Sequence, residues 1–261
     1  MGEVILETRG LRKEFDALVA VDDVDIRIEA GAFHSIIGPN GAGKTTLFNL
    51  ISGTMQPTRG QVLYKGRDIT RLHAHRAIHL GIGRSFQITN LFPNLTVLEN
   101  VRLAAQAMGH DNFRILRSHR KFTSYLDRAA EVLDLVELAD RAAFPARALP
   151  HGDQRKLELG MILAPNPEVL MLDEPTAGMA AEQVPGLMRL IASIQEAGDK
   201  TVVLVEHNMN VVMSASDRIT VMHHGSVLTE GSPEEVAADE NVQTAYLGSL
   251  FGGGMPEGTT P

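Results

Sequence analysis

Two stretches of unbroken apolar residues, Val169-Leu170-Met171-Leu172 and Val202-Val203-Leu204-Val205, set the strongest limit on how this chain can fold. A strand exposed on one face alternates apolar with polar residues, so a run that is apolar at every position reads as a strand covered on both faces. Helices wrapped around a largely parallel sheet supply such cover, and helical stretches do alternate with the Val- and Ile-rich runs here. Val4 to Thr8 and Val24 to Ile28 alternate instead, as half-exposed strands do, and read as an antiparallel edge. Both unbroken runs lead straight into polar residues, Asp173-Glu174 and Glu206-His207. Ligands of open α/β sheets sit at the carboxyl ends of the strands, so these polar residues are expected at one site.

Between about Asn90 and Leu149 the strand signal disappears, and Leu126, Ala129, Ala130, Leu133 and Val136 recur at helix spacing. This predicts a helical subdomain, about 90–160, inserted in an α/β core that makes 1–250 one domain. The glycine-rich end, 251–261, reads as a flexible tail. Arg114, Arg117, Arg120 and Lys121 form a basic cluster within the insertion, best read as a solvated helix face. The chain of 261 residues carries 32 acidic and 24 basic side chains, a net charge of −8, which argues against charge-driven nucleic-acid binding. It contains no Cys, hence no disulfide framework or thiolate metal site, and this is compatible with a cytosolic location. No basic leader precedes an apolar stretch, and no window approaches the roughly 18 uninterrupted apolar residues of a spanning helix.

Gly38-Pro39-Asn40-Gly41-Ala42-Gly43-Lys44-Thr45 follows a predicted strand, Ser35 to Ile37, and opens a predicted helix, Thr45 to Ile51. Glycines let backbone N–H groups close around phosphate oxygens, and the helix N-terminus adds partial positive charge. Lys44 can then reach the β- and γ-phosphates and Thr45 can ligate Mg²⁺; such a loop serves kinases, GTPases and many ATPases, so it identifies nucleotide binding but not a reaction. Asp173, delivered by a buried strand, can hold Mg²⁺, and Glu174 can polarise an attacking water. His207, ending the next strand at the same sheet edge, can contact the γ-phosphate. His75 and His79 stand four apart but lack an evident third ligand, and His223-His224 before Gly225 read as a surface hairpin turn.

With these motifs the chain resembles the ATP-binding cassette family over nearly its whole length, which implies a P-loop NTPase mixed sheet with an antiparallel edge subdomain and an inserted helical one. Arg84-Ser85-Phe86-Gln87 looks like the family's Q-loop, and the resemblance implies that Gln87 senses Mg²⁺ and the attacking water. Leu149-Pro150-His151-Gly152-Asp153-Gln154 looks like its signature motif, ahead of a helix expected from about Arg155 to Leu163. By the same resemblance Phe15 stacks on adenine, although a core Phe is the competing reading, and Thr46 joins the phosphate cradle. In the family two cassettes sandwich two ATP molecules, and the signature of one completes the γ-phosphate site of the other.

Two residues depart from the family pattern: Pro150 stands where Ser is usual in the signature, and Ala180 where an Asp is usual after the catalytic Glu. The run from Arg84 to Gln87, Leu91-Phe92, Leu95 to Asn100 and Ala245-Tyr246-Leu247-Gly248 resemble ATPases of branched-chain amino acid importers, where Pro150 is familiar. That resemblance implies a cytoplasmic ATPase on the inner face of the cell membrane. Its partners are a second cassette, the same or different, two membrane permeases and, through them, an external solute-binding protein, with no nucleic acid. A urea or amide importer, a lipopolysaccharide exporter and a soluble cassette protein are the alternatives, and the solute is not encoded in this chain.

Overall fold

The computed structural model describes residues 2–85, 91–109, 120–198 and 200–251. The chain opens with β1 (Val4–Phe15) and β2 (Leu18–Glu29), continues through β3 (Phe33–Ile37) into α1 (Lys44–Ile51), and adds β4 (Arg59–Tyr64), β5 (Arg67–Asp68), α2 (Ala74–Ala77) and β6 (Ile82–Arg84). Three helices follow, α3 (Val97–Ala107), α4 (Arg120–Leu135) and α5 (His151–Leu163). The second half alternates β7 (Val169–Asp173), α6 (Val184–Gly198), β8 (Thr201–Val205) and α7 (Met209–Ala215), then closes with β9 (Arg218–His223), β10 (Ser226–Gly231), α8 (Pro233–Ala238) and α9 (Glu240–Phe251).

The main sheet has the order β10-β9-β3-β8-β7-β6, parallel throughout except for the β9–β10 hairpin at one edge. Successive side chains of a strand face opposite sides, and both unbroken apolar runs use both sides. Leu170, Leu172, Val202 and Leu204 join a core with the helices from α3 to α6, whereas Val169, Met171, Val203 and Val205 pack with α1 and the first sheet. Continuous apolar character thus has the cause expected of a doubly covered sheet.

The two alternating strands build the expected antiparallel edge subdomain, as a sheet of their own. They pair antiparallel in a separate four-stranded sheet, order β2-β1-β4-β5, and each is 12 residues long. Gly10 and Asp23 adopt positive φ, and the β1–β2 register shifts between Thr8 and Leu11, so the alternation breaks where the strand itself does not. In α4 the buried face is Ala129, Val132 and Leu133, and Leu126 is exposed. Helix α5 begins four residues before the expected start, because Pro150 is its N-cap and the Gln154 N–H closes the first turn on the Pro150 carbonyl. Asn100, fully buried, binds the Phe92 N–H at 2.8 Å and donates to the carbonyls of Phe92 and Thr96, which pins the chain entering α3.

His34 of β3 lies in the sheet interior with Nε2 2.8 Å from the Thr220 hydroxyl, and burial pushes its pKa down to about 4. The unfolded imidazole takes up a proton near 6.5 and the folded one resists until about 4, so this contribution is full above 6.5 and is lost as pH falls toward 4. A single proton gives a slope of about 1.4 kcal/mol per pH unit, roughly 3 kcal/mol across the window. Urea unfolding of His34→Gln should show a pH dependence between 6.5 and 4 that is shallower by about that slope.

Candidate functional site

The register of the main sheet makes its central strands end together: Ile36 of β3 and Asp173 of β7 both stand level with Val205 of β8. Gly38, Glu174 and Glu206 therefore begin their loops from one edge, which brings the two polar strand ends to the glycine-rich loop. That loop is fixed by close backbone approach. A Cβ on Gly38, at φ +154°, would stand 2.3 Å from the Met222 carbonyl oxygen, and one on Gly43, at φ +96°, 2.3 Å from that of Ala20. Only glycine fits at both positions. Pro39, Asn40, Gly41 and Ala42 lie between them, and Thr45 and Thr46 stand in the first turn of α1.

Lys44 is nearly buried, and its ammonium donates to the carbonyls of Gly38 at 2.7 Å and Pro39 at 3.0 Å, which seats it within the loop. Burial lowers its pKa, while the charges of Glu174 and Asp173 act in the opposite direction. An ammonium desolvated at the N-terminus of α1 favours a multiply charged anion.

Asp173 is 5% exposed, and its N–H donates to the Ser85 hydroxyl at 2.8 Å. Both of its carboxyl oxygens are buried without a hydrogen-bond partner among the described residues. Burial first, then the neighbouring Glu174, push its pKa up to about 6, against the pull of Arg84. Unpartnered hard oxygens at a strand end fit a hydrated Mg²⁺, which favours oxygen ligands and keeps several waters. Thr45 and Asp173 would hold it.

Glu174 takes the left-handed conformation, φ +47°, with its N–H bound to the Val205 carbonyl at 2.8 Å. A non-glycine residue held there costs of order 1 kcal/mol or more and persists only where surrounding bonds enforce it. Its carboxyl lies 3.8 Å from Nδ1 of His207, and Glu206 lies 3.9 Å from the same nitrogen. His207 is 61% exposed at its side chain and Glu174 34%, so both reach solvent above the loop. A carboxyl able to accept a proton from water thus stands beside an imidazole and a seated ammonium.

Phe15 ends β1 with 41% exposure, so the core reading of this ring does not hold. The Lys13 ammonium sits 5.1 Å from its centroid. Strand β2, which returns from the Phe15 turn, passes the phosphate loop at Ala20, so the ring lies on the strand pair bordering that loop.

The signature residues sit elsewhere. Leu149 is buried, His151, Gly152, Asp153 and Gln154 form the first turn of α5, Asp153 pairs with Arg141, and Gln154 Nε2 donates to the Leu149 carbonyl at 2.9 Å. Their neighbours are Gln183 beside Gly152 and Gly178 beside His151, a set distinct from the Ala20 and Met222 that flank the phosphate loop.

Gln87, Arg114, Arg117 and residues 252–261 lie outside the described residues. His75 and His79 are exposed, and no group of three or more His, Cys, Asp or Glu side chains able to hold a metal occurs among the described residues. His223 ends β9, paired with Ser226, and His224 and Gly225 form the β9–β10 hairpin turn that was expected here. Two contributions escape the sequence pattern. Arg84 binds Asn49 Oδ1 at 2.6 Å, the Ser52 hydroxyl at 2.5 Å and the Thr54 hydroxyl, and lies over the Phe48 ring, so it ties β6 to the end of α1. Glu206 turns inward, fully buried, although its place at a strand end is all that the sequence displays.

A family profile described as ABC transporter matches residues 21–177, and one described as branched-chain amino acid ATP-binding cassette transporter matches 226–251. The chain is 38% identical over 256 residues to the high-affinity branched-chain amino acid transport ATP-binding protein BraF of Pseudomonas aeruginosa, covering 95% of this chain and 99% of that protein. Its fold matches the crystal structure of an ATP-binding cassette of an ABC transporter with a TM-score of 0.83 and 30% identity, covering 93% and 98% of the two chains. A dimeric ATP-binding cassette in a post-hydrolysis state, bound to ADP and Pi, matches with a TM-score of 0.74 and 30% identity over 88% and 99%.

Removing the Lys44 ammonium leaves phosphate charge poorly compensated, and charge-assisted bonds are worth roughly 1.5 to 3 kcal/mol. Lys44→Ala should weaken ATP binding by about tenfold or more in calorimetry. Unchanged affinity would remove this loop from the site.

Proposed function

The chain belongs to the ABC transporter family, and on that premise we propose that it is the ATP-binding, ATP-hydrolysing subunit of a branched-chain amino acid importer. The carrying observation is the common ending of β3, β7 and β8, which gathers Lys44, Asp173, Glu174 and His207 at one sheet edge. The likeness to BraF over 95% of the chain and the C-terminal profile at 226–251 support the amino acid branch.

On this reading the cradle from Gly38 to Thr46 binds the ATP phosphates, and Phe15 stacks on adenine with its exposed face. Thr45 and Asp173, with Gln87 as the family resemblance implies, would hold Mg²⁺, which would supply charge neutralisation for the transferred phosphoryl group. Glu174 takes the proton of the attacking water, and His207 hydrogen-bonds the γ-phosphate. Leu149 and His151 to Gln154 act across a dimer on the ATP of a second cassette, with the Gly152 backbone and the start of α5 as donors in place of the side chain that Pro150 lacks. Residues 1–250 then form one cassette domain with the helices of about 90–160 as its insert.

No helix among the described residues is long and apolar enough to cross a membrane. In the proposed importer, attachment to the inner membrane face is through permease partners, which in turn receive the solute from an external binding protein. Phe92, Leu95 and Phe144 are exposed on two segments that brace each other, Val97 N–H to the Phe144 carbonyl at 2.9 Å and Ala146 N–H to that of Leu95 at 2.9 Å. This apolar patch, close in sequence to Gln87, is the surface we assign to the permease.

Glu174→Gln keeps the side-chain volume and removes the proton acceptor, a loss that general-base estimates put at about 10² to 10⁴ in rate. In vesicles holding the complete transporter, this variant should bind ATP, hold two cassettes together and abolish uptake of labelled leucine. Parent-rate hydrolysis would refute Glu174 as the base, and uptake of no branched-chain amino acid by the parent complex would refute the solute assignment.

A further inference from the structure

Of the four polar residues that end β7 and β8, Glu206 has no part in the mechanism above. Its side chain is wholly excluded from solvent, where a carboxyl group is tolerated only with its oxygens bonded. Oε1 accepts from the Thr176 hydroxyl at 2.6 Å and the Thr176 N–H at 3.2 Å, and Oε2 accepts from the N–H of His207 at 3.2 Å. One carboxyl group therefore joins the turn that follows Glu174 to the backbone of His207.

That turn needs such a tie. Glu174 is held at φ +47°, and the bonds on either side of it are its own N–H to Val205 and the Ala177 N–H back to the Glu174 carbonyl, at 2.8 and 3.0 Å. Two residues on, Thr176 is fastened to Glu206, and Ala177 offers its carbonyl to Nη2 of Arg155 at 2.9 Å. Arg155 belongs to α5, the helix that carries the signature residues in its first turn. A continuous bonded path thus runs from α5 through residues 174–177 to residue 207. The phosphate loop is fixed by a different set, Ala20 and Met222, so the path can loosen without disturbing the cradle.

We propose that Glu206 is a positioning residue: through Thr176 it fixes Glu174 and His207 relative to each other, and links both to the signature helix of the same chain. Losing the Thr176 hydroxyl bond lets the left-handed turn relax and separates the carboxyl from the imidazole it now approaches at 3.8 Å. Turnover falls while ATP still binds. The inference rests on the reading of Glu174 and His207 as γ-phosphate residues.

The test is steady-state hydrolysis of Mg-ATP by the full chain together with its partner cassette. Thr176→Val and Glu206→Gln should each lower kcat about tenfold with KM for ATP within about twofold, the size expected when a buried hydrogen bond aimed at the reacting groups is lost. Thr176→Ser should keep the parent kcat, and the double variant Thr176→Val with Glu206→Gln should lose less than the product of the two single losses, because the Thr176 and His207 bonds belong to one network centred on Glu206. Thr176→Val preserves volume and the backbone bond, and so carries the test should Glu206→Gln fail to fold. Parent kcat in Thr176→Val, a parallel loss of kcat and ATP affinity, or no rescue by Ser would each overturn the proposal. Glu174→Gln is measured alongside: if it hydrolyses ATP at the parent rate, the underlying reading falls and the inference with it. If it is inactive while Thr176→Val keeps the parent kcat, the inference alone falls.

Discussion

The site depends on the parallel pairing of β8 with β3 on one side and β7 on the other. Because Ile36 and Asp173 both stand level with Val205, a phosphate-type loop, a pair of acids and an imidazole leave the sheet at the same height. A slip of one residue in either pairing would turn the apolar runs inside out, since alternate residues feed the two cores. The cores on the two faces therefore enforce the geometry of the edge, and burial far from the nucleotide fixes where Lys44 and Asp173 meet.

The edge concentrates charge that the fold does not fully neutralise. Asp173 keeps two buried oxygens without partners among the described residues, and Glu174 beside it raises its pKa further. Lys44 is desolvated and bound to its own loop. Each of these is a cost in the protein alone, and each would be relieved by a bound polyanion with a divalent cation, which would link ligand binding to stability here. Strain at Glu174 belongs to the same economy, held by hydrogen bonds from β8 and from the turn after it.

Much of this was legible in the residues. Unbroken apolar runs ending in acids, and a glycine-rich loop ending in Lys-Thr, state their burial and their chemistry locally. The full length of the first two strands was not legible, because Gly10 and Asp23 interrupt the alternation of strands that continue through them. The true start of α5 was hidden by Pro150, which reads as a helix breaker but serves as an N-cap. Arg84 and Glu206 act through partners roughly 30 residues away in sequence, a separation at which no periodicity carries information. Phe15 needed its solvent exposure to set aside the reading as a core ring.

On the proposed function, nucleotide binds across the shared end of β3, β7 and β8, and the signature residues of a second cassette complete the site. A crystal structure of the Glu174→Gln variant with Mg-ATP tests it most directly. Phosphates are expected within hydrogen-bond distance of the Gly41 to Thr46 backbone, the metal at Thr45 and Asp173, and His151 to Gln154 of another cassette facing the γ-phosphate. Density for ATP away from that edge, or a fully enclosed γ-phosphate in a single chain, would contradict it.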